Sequence, residues 1–424
     1  MKKKMIIWFI AAGLAASVSG CGAAGGTGAS GAGASADAAG SQSTASGAAG
    51  TAATESGVGK TQDSAAASTA EGAAETAEEA SAEAGMTAEE APTMSEASTM
   101  DATEADTEPP AITAAADAVH VRIGYENSAD EPLGMAIEGA KQTLLDKSNG
   151  EMTFDAYPDS ELGDKFSLMD SMLIGENVVT LADGADFAEY GQKDMSILLA
   201  PYLFDDWDQV DTLVRSDWYK DQCTQLEKRG FHVITSNWHY GARELATNKP
   251  VHSASDLSGI KLRIPETDLQ EACVKVYGAT PVSMALADVS GAFDAGTIDG
   301  VENPLSVLYE EKLSVKAPYI LLDNHVLNYT SWVCSADWYN SLTKEQQTWL
   351  TQTLTEAGEQ NNTYVDDMQS AYQKKLEAEG AILYTPTKSQ LEELKKKAED
   401  IYTSTSLGWS TGLYDKVKTA MGAE

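Results

Sequence analysis

The sequence predicts an α/β fold of two lobes with a cleft between them, preceded by a long segment that does not fold. From Val119 onward, stretches with the alternation of β-strands and stretches with the spacing of α-helices follow one another. This order is typical of α/β domains with largely parallel sheets, and the length of residues 119–424 favours two lobes over one. A helical stretch over 343–379 is long enough to brace both lobes.

The N-terminus has the layout of a secretory signal. Residues 1–5 carry three lysines, residues 6–16 are apolar but too short to span a bilayer, and small residues follow. The sequence VSGC at 18–21 resembles a bacterial lipobox, whose cysteine is lipidated after cleavage. We therefore expect residues 1–21 to be a signal peptide that leaves Cys21 as a membrane anchor. The alternative is an ordinary signal peptide with a chance cysteine.

Residues 22–118 are mostly Ala, Gly, Ser, Thr and Glu, with no Phe, Trp or Tyr, and hold 16 acidic residues against the single base Lys60. Such a segment buries too little apolar surface to offset its conformational entropy, so we expect a disordered acidic tether. The whole chain has a formal net charge of −36. This balance argues against nucleic-acid binding, which needs basic patches.

The strands and helices of the folded part can be placed in order. Alternating patterns predict strands at 119–125, 152–156, 178–181, 231–235, 260–264, 297–301 and 319–322. Helical patterns cover 131–147, 164–174 and 343–379, the last with Gly358 as its only interior breaker, and further helices lie between the later strands.

One predicted strand carries two cations. In GIKLRIPE at 259–266, three aliphatic residues alternate with Lys261 and Arg263, so the aliphatic residues share one face of the strand and the cations the other. Most strand cations simply face water. The pattern alone therefore gives Arg263 no role.

Signals of catalysis or of metal binding are missing from the sequence. The five histidines show no metal-ligand spacing, and no G-x-S-x-G motif lies in the folded part. Cys223, Cys273 and Cys334 form no metal or disulfide pattern, so we expect buried free thiols. We expect no metal, no cofactor and no enzymatic activity. An exported carbohydrate hydrolase stays as a remote alternative, because converging carboxylates cannot be recognised from sequence.

Four blocks in order resemble the solute-binding proteins of tripartite ATP-independent periplasmic (TRAP) transporters, the DctP family. The blocks are 157–187, 238–266, 278–305 and 325–342, and they include the patterns D-L-x-G-x-K-x-R-x-P and D-G-x-E-N-P. The resemblance covers about residues 118–398. It implies a periplasmic-binding-protein-like fold, with lobe I near 119–240 and 328–370 and lobe II near 241–327 and 371–424.

The resemblance also implies a function. Such a protein is a monomer outside the cytoplasm that captures an organic acid and delivers it to the TRAP membrane permease subunits. A co-receptor that presents its ligand to a sensor kinase is the alternative.

Three residues match the family's carboxylate-binding positions. Arg263 matches the arginine that forms a bidentate pair with the ligand carboxylate, for which a planar guanidinium is suited. Arg243 matches an arginine that often supports the same anion. Asn303 matches a side chain that hydrogen-bonds the carboxylate.

Four further residues match less closely. Asp183 and Asp164 correspond to polar pocket residues of the sialic-acid branch, with a solvated surface acid as the alternative. Trp238 is expected either to stack on the ligand or to fill the core. Glu126 aligns loosely with a pocket Asn, and there we favour a solvated surface acid. Asp183, Asp164 and Trp238 together favour a hydroxylated sugar acid over a small dicarboxylate.

Overall fold

The computed structural model describes residues 112–423. The predicted signal peptide with Cys21, and the predicted tether up to residue 111, lie outside these residues. Residues 112–118 contact the domain that follows: the Ala115 N–H donates to the Gly150 carbonyl at 2.8 Å, and the Gln142 amide donates to the Ile112 carbonyl at 3.3 Å. This end of the predicted tether therefore packs on the folded domain.

Within residues 112–423 the chain forms strands and helices in alternation. The strands are β1 (Val119–Gly124), β2 (Met152–Tyr157), β3 (Val179–Ala182), β4 (Phe231–Thr247), β5 (Lys261–Ile264), β6 (Thr280–Ser283), β7 (Gly300–Pro304), β8 (Tyr319–Ser335) and β9 (Ile382–Tyr384). The helices are α1 (Pro132–Lys147), α2 (Lys165–Leu173), α3 (Gly184–Glu189), α4 (Trp207–Arg215), α5 (Asp217–Glu227), α6 (Asp268–Val276), α7 (Val289–Asp294), α8 (Leu305–Glu310), α9 (Leu313–Lys316), α10 (Ala336–Ser341), α11 (Lys344–Ala378), α12 (Lys388–Tyr402) and α13 (Leu413–Ala420).

The strands form one mixed sheet in the order β2-β1-β3-β8-β4-β7-β5-β6, with β9 paired to β8. Strands β1 to β3 join one end of the sheet through the pairing of β3 with the last residues of β8. Strands β5 to β7 join the other end through the pairing of β7 with the last residues of β4. The long strands β4 and β8 therefore run through both halves of the molecule.

The middle of β4 is irregular, because its register against β8 shifts at four places. One of them lies between His239 and Gly241, and Gly241 pairs with Asn328. Gly241 has a φ of +128°, and a Cβ there would lie 2.9 Å from the Pro304 side chain. Only glycine adopts this backbone without strain. The two halves of the molecule therefore meet where β4 bends.

The predicted α/β class is confirmed, but three details of the prediction differ from the structure. The sheet is mixed: β1 pairs with β2 and β3, β5 with β6 and β7, and β8 with β9 in parallel, whereas β3 pairs with β8, and β4 with β7 and β8, in antiparallel fashion. The strands expected at 231–235 and 319–322 are the beginnings of 17-residue strands. The strand expected at 297–301 starts three residues later, at Gly300.

The predicted bracing helix is confirmed as α11, 35 residues long and opened by a capping box between Thr343 and Gln346. Near its start, Leu350 and Leu354 belong to the core of β1 to β3. Near its end, Tyr372 and Leu376 belong to the core under β7 and α8. One helix therefore contributes to the cores of both halves.

The last residues of the chain divide between the two halves. Leu394 in α12 packs in the core of β5 and α6. In contrast, Leu413, Val417 and Met421 share a core with Leu226 of α5, because one face of α13 is apolar. Helix α13 therefore packs against α5, and α12 against α6. Among the described residues, no helix has the length and apolar character that crossing a membrane requires.

Candidate ligand-binding cleft

A cleft lies between the two halves, beside the bend of β4, and its empty volume is about 660 Å³, including space open to solvent. The wall on the β5–β7 side carries Arg263 and Asn303. The opposite wall, on the β1–β3 side, carries charged residues that follow β1 and β3 or begin α2. A concave site of this size with a few converging polar groups is typical of a small-molecule binding site.

Strand β5 holds Arg263 in the cleft wall. Leu262 and Ile264 are buried in the core on the other face of the strand, as the alternation predicts. Arg263 itself is only 4% exposed. Its Nε and Nη2 both donate to the Met284 carbonyl, at 3.0 and 2.8 Å. Within residues 112–423, Nη1 has no hydrogen-bond partner and no carboxylate lies within 4.0 Å of the guanidinium.

The charge of Arg263 is therefore poorly compensated. Burial lowers the pKa of its guanidinium, and the carboxylate of Glu126 in the opposite wall opposes that effect. An arginine nevertheless stays protonated at neutral pH. A buried charge without a close partner is costly, because the protein does not replace the water it has lost. The free end of this guanidinium, with Nη1 and one N–H of Nη2, matches the two oxygens of a carboxylate.

Arg243 is buried as well, but most of its donors are already used. The guanidinium forms a bidentate ion pair with Glu302, through a short contact from Nε and one of 2.9 Å from Nη2. Nη1 donates to the Asn328 side chain at 2.9 Å, and Nη2 also donates to the Asn303 side chain at 3.0 Å. Arg243 therefore holds its neighbours in place and offers a ligand less free charge than Arg263 does.

The contact with Arg243 fixes the orientation of the Asn303 amide. Because Nη2 of Arg243 needs an acceptor, Oδ1 of Asn303 faces it and Nδ2 points the other way. Nδ2 is buried and has no hydrogen-bond partner among the described residues. Unpaired buried donors are rare and costly. Asn303 therefore lines the same cleft as Arg263 and keeps an unused donor.

Glu302 also forms an ion pair with His325. His325 lies 3.4 Å from Glu302 and 2.8 Å from Asp323. Burial disfavours the charged imidazole, but Asp323 and Glu302 raise the pKa of His325 to about 10. Burial likewise disfavours the carboxylate of Glu302, yet Arg243 and His325 lower its pKa to about 2. Glu302, which pairs with Arg243, and His325, which pairs with Glu302, are therefore both charged at neutral pH.

Asp164 and Asp183 line the cleft, where the sequence placed them, and both are also helix N-caps. Asp164 accepts the Ser167 N–H at 3.0 Å at the start of α2. Oδ1 of Asp183 accepts the Ala185 N–H at 2.9 Å at the start of α3, and no described residue bonds its Oδ2. Burial, followed by the neighbouring carboxylate of Asp186, raises the pKa of Asp183 to about 6.

Sequence reasoning missed the buried cation of this wall. Nζ of Lys165 lies 2.9 Å from Asp186 and 3.8 Å from Glu126. Burial works against this ammonium, but Asp186 raises its pKa above the ordinary value. Asp183 and Asp186 form the capping box that begins α3, but no sequence signal indicates that Lys165 lies beside it.

Of the two alternatives for Trp238 the structure supports the core, and the expectation for Glu126 is wrong. Trp238 does not line the cleft: it is fully buried in the core beside Trp332, and its Nε1 donates to the Leu354 carbonyl at 2.8 Å. Tyr240, two residues on, lines the cleft instead. Glu126 is not a solvated surface acid but a cleft residue, with a side chain only 15% exposed.

The part of the chain that the structure describes has no group of three or more His, Cys, Asp and Glu side chains arranged to hold a metal ion. Cys223, Cys273 and Cys334 are free thiols. Cys273 and Cys334 are buried as expected, and Cys223 is partly exposed.

Comparison with known proteins agrees with this architecture. Residues 123–406, more than half of the chain, match the DctP family model, described as bacterial extracellular solute-binding protein, family 7. The structure is similar to that of a TRAP periplasmic solute-binding protein from Ochrobacterium anthropi with bound L-fuconate. That likeness has a TM-score of 0.69 and 32% identity, and covers 72% of this chain and 99% of that one. It confirms the two-lobed fold.

Two curated relatives differ in the ligands that their names state. The 2,3-diketo-L-gulonate-binding periplasmic protein YiaO of Escherichia coli is 27% identical over 260 residues, 61% of this chain and 75% of the relative. The C4-dicarboxylate-binding periplasmic protein DctP of Rhodobacter capsulatus is 23% identical over 251 residues, 59% of this chain and 75% of the relative. The chain belongs to the DctP family of bacterial extracellular solute-binding proteins, the binding components of TRAP transporters.

Proposed function

We propose that this protein captures an organic acid outside the cytoplasm and delivers it to the membrane permease of a TRAP transporter. Arg263 is the carboxylate clamp, and Asn303 donates a further hydrogen bond to the same carboxylate. Arg243 positions Asn303. The protein performs no chemistry on its ligand, in keeping with a family of solute-binding proteins.

The observation that carries this proposal is the pair of unused donors in one cleft. Arg263 is a buried cation whose Nη1 bonds no described residue, and Nδ2 of Asn303 is a buried donor without a partner. Each arrangement costs free energy in the empty protein, and a carboxylate would satisfy both donors at once. Arginine is better suited than lysine here, because its planar fork matches two carboxylate oxygens.

We infer that the ligand is a sugar acid. The structure with L-fuconate and the curated 2,3-diketo-L-gulonate-binding relative support this class by their likeness to the chain. The wall opposite Arg263 supports it by its polarity, since Asp164 and Asp183 offer oxygen acceptors to ligand hydroxyls. Trp238 has no part in this site.

Delivery to a permease requires the protein to stay near the membrane. We propose that the lipid on Cys21 anchors it, and that residues 22–111 form a flexible tether, as their composition predicts. We place the boundaries between the lobes near residues 240 and 328. The bend of β4 and the pairing of Gly241 with Asn328 support this placement.

The proposal is tested by titration of variants. A thermal-shift screen of L-fuconate, D-galactonate, L-gulonate and succinate first selects the tightest ligand, and isothermal titration then compares Arg263→Ala with the wild type. Loss of one partner of a buried charge pair costs about 2–5 kcal/mol, which is roughly 30-fold to several-thousand-fold in affinity. Arg263→Lys should recover only part of the loss.

Lys261→Ala is the matched control, because Lys261 lies on the same strand two residues away and its Nζ donates to the Gly296 carbonyl, outside the cleft. Equal losses at Lys261 and Arg263 would indicate diffuse electrostatic attraction and would contradict the clamp.

A further inference from the structure

The wall opposite Arg263 has more acids than cations. Lys165 is the only cation on this wall of the cleft among the described residues, and its ammonium lies beside the carboxylates of Asp186 and Glu126. Asp183 belongs to the same cluster of charges, since its backbone N–H donates to the Asp186 carboxylate at 2.9 Å. Three carboxylates therefore share one ammonium, and the wall is negative before any ligand enters.

Two of these acids have free acceptors and no close cation. Among the described residues, Glu126 accepts no hydrogen bond, and its ion pair with Lys165 is long, at 3.8 Å. Asp183 uses Oδ1 for the cap of α3, and its Oδ2 has no partner. Asp186, in contrast, pairs closely with Lys165, and its Oδ2 accepts both from that ammonium and from the N–H of Asp183. Both oxygens of Asp164 accept from Ser167, so the free acceptors that lack a close cation belong to Glu126 and Asp183.

Free carboxylate oxygens attract donors and repel anions. Ligand hydroxyls satisfy them without bringing a charge into the cleft. A second carboxylate on the ligand would meet two carboxylates of the protein, and the one ammonium beside them, that of Lys165, is already paired with Asp186. The two walls therefore favour different ends of one ligand. Arg263 favours an anionic end, and Glu126 and Asp183 favour neutral hydroxyls.

We propose that the cleft selects monocarboxylate sugar acids and rejects ligands with a second carboxylate at the far end, and that Glu126 and Asp183 are the selecting residues. The inference rests on the proposed function, because it assumes that Arg263 holds the first carboxylate. It separates the aldonates from the aldarates, which have the same hydroxylated carbon chain with a carboxylate at both ends.

The test compares matched pairs of ligands by isothermal titration. D-Galactonate is paired with galactarate, L-gulonate with D-glucarate, and succinate serves as a short dicarboxylate. We expect the better aldonate to bind on the order of 100-fold more tightly than its aldarate, since contacts between like charges cost several kcal/mol and about 1.4 kcal/mol is tenfold. An aldarate or succinate that binds as tightly as the aldonate would overturn the inference.

Variants assign the selection to particular residues. Glu126→Gln and Asp183→Asn should each narrow the preference for aldonate over aldarate by about tenfold, mainly by tightening the aldarate. Both variants should fold. Asp183→Asn keeps the N-cap of α3, because Asn is as good an N-cap as Asp. Glu161→Gln is the control: Glu161 is exposed, lies on the same half of the molecule and does not line the cleft. An equal change at Glu161 would assign the preference to net charge and refute the role of Glu126 and Asp183.

The outcomes separate this inference from the proposed function. If aldarates bind well and Arg263→Ala abolishes their binding, the clamp stands and the selection is wrong. If no carboxylate of the panel binds, or if Arg263→Ala binds them all like the wild type, the proposed function fails and the selection fails with it.

Discussion

Glu131, at the start of α1, predicts how stability depends on pH. Its side chain is 2% exposed and accepts a hydrogen bond from Nδ2 of Asn127, which also donates to the hydroxyl of the cleft residue Tyr240. Burial raises the pKa of Glu131 from 4.5 to about 8. The folded protein therefore holds a proton at neutral pH that the unfolded chain releases.

The sign of the effect follows from linkage. A group whose pKa is raised on folding contributes stability that is fully present below its unfolded pKa, here 4.5, and is lost as the pH rises through its folded pKa, about 8. One proton changes the free energy of unfolding by about 1.4 kcal/mol per pH unit. Between pH 5 and pH 8 this group alone should account for about 3 kcal/mol of lost stability.

The assay is urea unfolding of the wild type and Glu131→Gln at pH 5, 6, 7 and 8. The variant cannot ionise, so its free energy of unfolding should fall less steeply with pH, by about 1.4 kcal/mol per unit. Glu138→Gln is the control, because Glu138 lies on the same helix, is exposed and pairs with Lys141. Parallel pH profiles for the wild type and Glu131→Gln would refute the reasoning.

Three further predictions concern glycine packing, the core tryptophan and the tether. Gly358→Ala should lower the melting temperature, because a Cβ there would lie 2.8 Å from Trp238 and overpacking costs about 1–3 kcal/mol. Gly139→Ala, in α1 with nothing within 4 Å, should instead raise it through helix propensity. Trp238→Phe should lower stability through loss of the bond to Leu354 while leaving ligand affinity within about twofold, because the ring fills core. A larger change in affinity would indicate that Trp238 takes part in ligand binding. Deletion of 25–108 should leave affinity unchanged in a titration, and a tenfold loss would contradict a passive tether.

The elements that sequence reasoning located best are those with an uninterrupted period. The helix α11 and its cap at Thr343 follow from the 3.6-residue spacing and the capping residues. The strand β5 follows from the alternation of Leu262, Arg263 and Ile264. The full lengths of β4 and β8 were not predicted. Register shifts break the alternation of β4 around Gly241, and much of β8 is buried on both faces.

The cleft was predictable only where a residue matched a family pattern. Arg263 and Asn303 line one cleft, but the unused Nδ2 of Asn303 depends on its contact with Arg243, 60 residues away in sequence. Lys165 and Glu126 come together only through the fold, since a polar residue at a strand end looks like a surface residue in sequence. The sequence did not show whether Trp238 faces the core or the cleft, because a tryptophan is common in both places.

The central claim is a direct contact between Arg263 and the ligand carboxylate. The measurement that tests it most directly is a thermodynamic cycle. The tightest aldonate and its alditol, in which a CH2OH group replaces the carboxylate, are titrated against the wild type and Arg263→Ala. We expect a coupling free energy of about 2–5 kcal/mol between the carboxylate and the arginine. A coupling near zero, with the two losses simply adding, would show that the carboxylate binds elsewhere and would contradict the clamp.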